Sequence, residues 1–143
     1  MALHLIKLCV GCESPEQLEG WIEDRLALRR QLGEPVEQIH TTRMVPRRME
    51  ELEGGSLYWV MKGMVRARQK LLEIRPFTDS EGIGRCHLVL EPELIRTEWQ
   101  PRRPFQGWRY LKPEDAPRDA SGSSEDDALP DHLKRELHEL GLL

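Results

Sequence analysis

The sequence has no run of about 18 apolar residues, so it offers no membrane-spanning helix. It is also poor in cysteine. Three among 143 residues are an odd and sparse set, which excludes a small disulfide-stapled framework. Nor is the charge strongly one-sided, since 21 Lys and Arg stand against 25 Asp and Glu for a formal net charge of -4. Global charge therefore gives no reason to expect a polyanionic partner, and such a case must rest on where the charges lie. No glycine-rich phosphate loop occurs, Gly82-Ile-Gly84 being too short for either common pattern. The few serines lack the strand-turn-helix setting of a nucleophile elbow, and there is no internal repeat. The N-terminus, Met1 to Cys12, is apolar but has no basic leader and no small-residue cleavage site, and Lys7 interrupts it. The expectation is a buried first strand in a cytoplasmic protein.

What is present reads as one α+β domain over residues 1–117. Its length suffices for one hydrophobic core. Leu3 to Val10 reads as a strand covered on both faces, with Leu3, Leu5 and Cys9 on one side and Ile6, Leu8 and Val10 on the other. A helix follows: Ser14 suits the N-cap, Pro15 the first helical position, and Gln17 completes a capping-box pattern. Leu18, Trp21, Ile22, Leu26 and Leu28 or Arg29 follow the helical period, and Gly33 ends it. Further strands are expected over Glu37 to Val45, Leu57 to Met61, Arg85 to Leu90 and Ile95 to Trp99, with a helical turn over Pro46 to Leu52. Gly63 reads as a bulge or a close backbone approach. Met64 to Ile74 fits a helix or a long strand; the hairpin signal at Asp79 to Gly84 favours a strand. The sum is a mainly antiparallel, curved sheet or small barrel packed by the N-terminal helix. Beyond it, the Ser, Gly, Asp and Glu composition predicts a disordered acidic linker over 118–128, then a short amphipathic helix over 129–143. Leu133, Leu137 and Leu140 share one face of that helix, a possible protein-interaction surface.

Three stretches carry a family resemblance: Met44-Val-Pro46, Gly55-Ser-Leu-Tyr-Trp-Val60 and Arg103-Pro-Phe-Gln-Gly-Trp-Arg-Tyr-Leu111. With them the chain resembles the bacterial family catalogued as domain of unknown function 1489, over most of residues 1–118. That resemblance implies no activity, substrate or cofactor. The order of elements is also similar to PUA-like barrels of the EVE or ASCH type, and this second resemblance implies an association with RNA or modified bases.

The charges divide unevenly along the chain. Residues 1–39 carry a net -3, residues 40–112 a net +5, and residues 113–143 a net -6. The basic middle contains two candidate nucleic-acid contacts. If Met64 to Ile74 is a strand, Arg66, Arg68 and Lys70 form a stripe on one face. From Pro101 to Lys112, the cations Arg102, Arg103, Arg109 and Lys112 alternate with Phe105, Trp108 and Tyr110. Arginines neutralise phosphates and aromatic faces stack unpaired bases, so Trp108 or Tyr110 is a candidate platform; the same aromatics also suit a core with arginines at its rim. The leading expectation is a non-catalytic module binding RNA or single-stranded nucleic acid. The alternative is a small redox or metal-dependent enzyme using Cys9 and Cys12. Their spacing resembles half of a redox or zinc motif, yet the helix cap is Ser14 rather than a cysteine. A zinc site would need Cys86 or His87 with His4 or His40 besides. No metal and no cofactor are expected.

Overall fold

The computed structural model describes residues 2–120. One helix and seven strands form the chain order β1 (His4–Leu8), α1 (Pro15–Gln31), β2 (Gln38–Thr42), β3 (Ser56–Met61), β4 (Met64–Thr78), β5 (Gly84–Leu90), β6 (Ile95–Pro101) and β7 (Trp108–Leu111). The helix begins and ends where its caps dictate. Gln17 N donates to Ser14 Oγ at 3.2 Å, and the Gln17 side chain accepts from Glu13 N at 2.9 Å. At the other end Glu34 N reaches Arg29 O and Gly33 N reaches Arg30 O, with Gly33 at φ +70. That is a Schellman ending. Leu18, Ile22 and Leu26 are buried at a spacing of four, whereas Trp21 and Leu28 are exposed and fall outside the packed stripe.

The strands make one sheet in the order β2-β5-β4-β3-β1-β7, with β6 added to β4. All pairings are antiparallel except β1 with β3, whose connection runs through α1 and β2. The fifteen-residue β4 is the spine. Its first half lies between β3 and β6, and its second half pairs with β5. Met64 to Ile74 is therefore a strand, and it runs four residues further than its composition suggested. Lys62 and Gly63, at φ 50 and 77, form the two-residue turn from β3 into β4. The turn, rather than a bulge, is what Gly63 serves. The close backbone approach falls at Gly55, where a Cβ would lie 2.1 Å from Leu3 O.

The sheet is open and strongly curved. β2 and β3 are separated by two strands in the sheet, yet His40 of β2 meets Trp59 of β3 edge to face at 5.2 Å. Only a curled sheet brings those rings together. The concave side holds the larger core, with Leu5, Leu57, Trp59, Met61, Leu88 and Leu90 against α1. The convex side of β1, β3 and β4 carries a smaller cluster of Ile6, Tyr58, Val60, Val65 and Leu111. Burial on both sides explains why β1 is apolar on both faces.

A strap covers the convex side. After β7 the chain passes a short turn at Pro113–Asp115, where Gln100 and Arg102 donate to Asp115 O. Residues 118–120 then pair with β6, through Glu98 N to Arg118 O and Ala120 N to Arg96 O. The described body thus runs three residues past the expected boundary at 117. The expected acidic linker beyond Ala120 and the C-terminal helix lie outside the described residues. No helix of the described residues is long and apolar enough to cross a membrane.

Candidate functional site

The basic stripe expected on β4 is broken by a bulge. Between Val65 and Ala67 the register with both β3 and β6 shifts. This turns Arg66 inward. It is buried, donates to Glu13 O at 3.0 Å, and its guanidinium stands 4.1 Å from the Trp99 ring centre. Arg68 remains on the convex face, but its guanidinium holds both carboxylate oxygens of Asp119 at 2.8 Å and Ser56 Oγ at 2.8 Å. Arg68 thereby keeps the Asp119 carboxyl below its usual range. Lys70 is exposed beyond them. The three cations do not make one accessible stripe.

The segment from Pro101 to Lys112 divides its aromatics. Trp108 is buried and donates from Nε1 to Met44 O at 2.9 Å. Tyr110 accepts from the backbone N–H groups of Arg47 and Arg48, and its ring packs against Trp108. Both aromatics tie the loop before β3 to β7. Two of the stretches carrying the family resemblance, Met44 to Pro46 and Arg103 to Leu111, are thus in direct contact. Phe105 is the aromatic that is left, half-buried on the convex side. Arg109 stands over its ring at 5.0 Å.

Phe105, Tyr110, Arg102, Arg103 and Arg109 line one open groove of about 470 Å³ beside Ile6 and Leu111. Among the described residues no acidic side chain lines it. Arg102 is held by neutral acceptors, Gln100 Oε1 and Asp115 O, so its charge is not offset there. Cross-strand register places Arg109, Ile6, Tyr58 and Arg68 in one row across the convex face. The cations therefore gather across the strands rather than along β4. Of the two aromatics expected as a stacking platform, Tyr110 borders this groove and Trp108 is buried away from it, while Phe105 is an aromatic the sequence did not single out for that role.

A second concavity lies on the other side of β1. It is a cavity of about 130 Å³ between α1 and the curled sheet, bordered by Lys7, Trp21, Arg25, Gln38, His40 and Trp59. Lys7 arrives there because it alternates with Leu5 and Cys9 on the concave face, opposite Trp59 and Trp108. Burial lowers its ammonium pKa. His40 is held down to about 4, by burial first and then by Lys7 and Arg25. Its Nε2 is buried without a hydrogen-bond partner. The alternation of Leu3, Leu5, Lys7 and Cys9 was the available signal for an inward lysine.

Cys9 and Cys12 are both buried and reduced, as is Cys86. Burial, then the hydrogen bond with Cys12, raises the Cys9 thiol well above its usual range. The Cys12 thiol donates to Ser14 O at 3.1 Å. A buried, protonated thiol is a weak nucleophile. No group of three or more His, Cys, Asp or Glu able to hold a metal occurs among the described residues. His87 stacks on Phe77 and bonds Thr41, while its neighbour Cys86 is buried.

The family model described as "Protein of unknown function (DUF1489)" matches residues 5–143, and the chain belongs to that family. No curated protein and no solved structure matches it.

Proposed function

We propose that this member of the DUF1489 family is a non-catalytic module that binds RNA or single-stranded nucleic acid through the convex groove. The observation that carries the reading is the convergence of Arg102, Arg103, Arg109 and Phe105 on one groove without an acidic lining. Guanidinium groups meet phosphates, and the Phe105 ring, already faced by Arg109, gives an unpaired base a surface to stack on.

The test is a salt-varied titration with single-stranded RNA. Binding should weaken with salt by about 0.7 log units per log unit of salt for each phosphate neutralised. Arg103→Ala with Arg109→Ala should flatten that slope. Phe105→Ala should weaken binding by about 1–3 kcal/mol with the slope unchanged. Absence of binding at low salt would falsify the reading.

A further inference from the structure

The concave pocket is not used by the convex groove, because Lys7 and Ile6 lie on opposite faces of β1. We propose that this pocket binds a small planar aromatic carboxylate, of the size of benzoate. Its body would be gripped by apolar walls: Leu18 and Ile22 from the helix, with the indoles of Trp21 and Trp59. A cavity of about 130 Å³ admits a single six-membered ring with one substituent and little more.

The carboxylate is required by charge. Among the described residues Lys7 and Arg25 are the only charged ones in the lining, and both are cations. Neither forms an ion pair with a carboxylate among the described residues. Asp24, and on another side Glu34 and Glu37, border Arg25 in separate open depressions outside this pocket. Lys7 is half-buried beside the apolar wall, where an anion would offset its charge, and Arg25 stands exposed at the rim.

His40 supplies the directional contact. Its buried Nε2 has no hydrogen-bond partner among the described residues, an expensive arrangement for a polar atom. The ring stays neutral at physiological pH, and once an entering ligand shifts the side chains that seal Nε2, the Nε2–H tautomer would donate one hydrogen bond to its oxygen. The ring stands edge to face on Trp59, which also lines the pocket. Trp21, 38% exposed, and Val10, 80% exposed, leave apolar surface uncovered at the rim.

The experiment titrates the full chain with sodium benzoate, with benzamide as the uncharged planar control and cyclohexanecarboxylate as the charged non-planar one. Tryptophan fluorescence and the His40 imidazole proton resonance are followed together. Benzoate is expected to shift both signals saturably and to raise the His40 titration midpoint, because its carboxylate offsets Lys7 and Arg25. Benzamide and cyclohexanecarboxylate should each bind at least about tenfold more weakly, a difference of ~1.4 kcal/mol. Lys7→Met should weaken benzoate by a similar factor. If that variant is unfolded by circular dichroism, Arg25→Gln, on the exposed helix surface, carries the same expectation. Equal binding of benzamide, or no movement of His40 in millimolar benzoate, overturns the proposal. Loss of RNA binding in the groove variants leaves it standing, so the two proposals fail separately.

Discussion

Trp108 and His40 are each placed by their neighbours, and each makes a measurable statement about the fold. Trp108 sits in the main core with its indole N–H on Met44 O. Trp108→Ala opens a void beneath β7 and orphans that carbonyl, so it should cost about 3–5 kcal/mol of unfolding free energy. RNA affinity measured on the folded fraction should stay within twofold of the parent, at about 0.4 kcal/mol. An affinity loss without a stability loss would return Trp108 to the role of stacking platform. His40 has its folded pKa lowered from 6.5 to about 4. Between those values the unfolded chain takes up a proton at His40 that the folded chain refuses, so stability falls as pH drops through this window and is whole above it. The difference amounts to about 3 kcal/mol by the lower end. His40→Asn should remove that component. Denaturant unfolding of both chains at several pH values between the two limits reads it, and parallel curves would contradict the assignment.

Among the elements, those with local signals were legible. The cap at Ser14, the period of Leu18, Ile22 and Leu26, and the stop at Gly33 define α1 without any tertiary information. β3 followed from its β-branched and aromatic content, and β5 from the hairpin signal at Asp79 to Gly84. Three features were hidden because they depend on distant partners. The bulge that inverts Arg66 exists only where β4 meets both β3 and β6. β7 carries no local signal that assigns it an element and becomes a strand by pairing with β1. The parallel contact of β1 with β3 depends on the whole crossover between them. The groove was partly legible: its arginines and Tyr110 follow from the interleaved segment, whereas the part played by Phe105 does not. Gly55 belongs to this class of long-range constraints, since its missing side chain is what lets the turn after Leu52 lie on the Leu3 carbonyl. The Leu3 and Leu52 oxygens are both backbone and cannot swing away. Gly55→Ala should therefore cost about 3 kcal/mol, the upper end for overpacking. Thermal unfolding checks it, and a shift under one degree would show that the two segments separate freely.

At the scale of the molecule, charge and the strap set the expectations. Residues 1–120 carry nineteen basic and nineteen acidic side chains, so the net -4 belongs entirely to residues 121–143. An acidic segment competes with a polyanion for a basic groove. A chain ending at Ala120 should bind RNA more tightly than the full chain, most clearly at low salt, with an unchanged unfolding midpoint. Weaker binding by the shorter chain would reject competition. A chain ending at Asp115 behaves differently. It loses Asp119 from Arg68 and the pairing of 118–120 with β6. That should cost about 1–2 kcal/mol, tempered because Asp119 is half exposed.

The long spine strand has a kinetic meaning as well. From Met64 to Arg68, β4 has neighbours on both edges, while from Glu73 to Thr78 only β5 accompanies it. The second stretch is largely half-buried or exposed and ends in the turn around Asp79. In deuterated solvent the amides of Val65 and Ala67 should exchange only when the whole domain opens. Those of Phe77 and Arg85 should exchange orders of magnitude faster, through opening of the arm alone. One strand would thus report two free energies, the global one at its root and a local one at its tip.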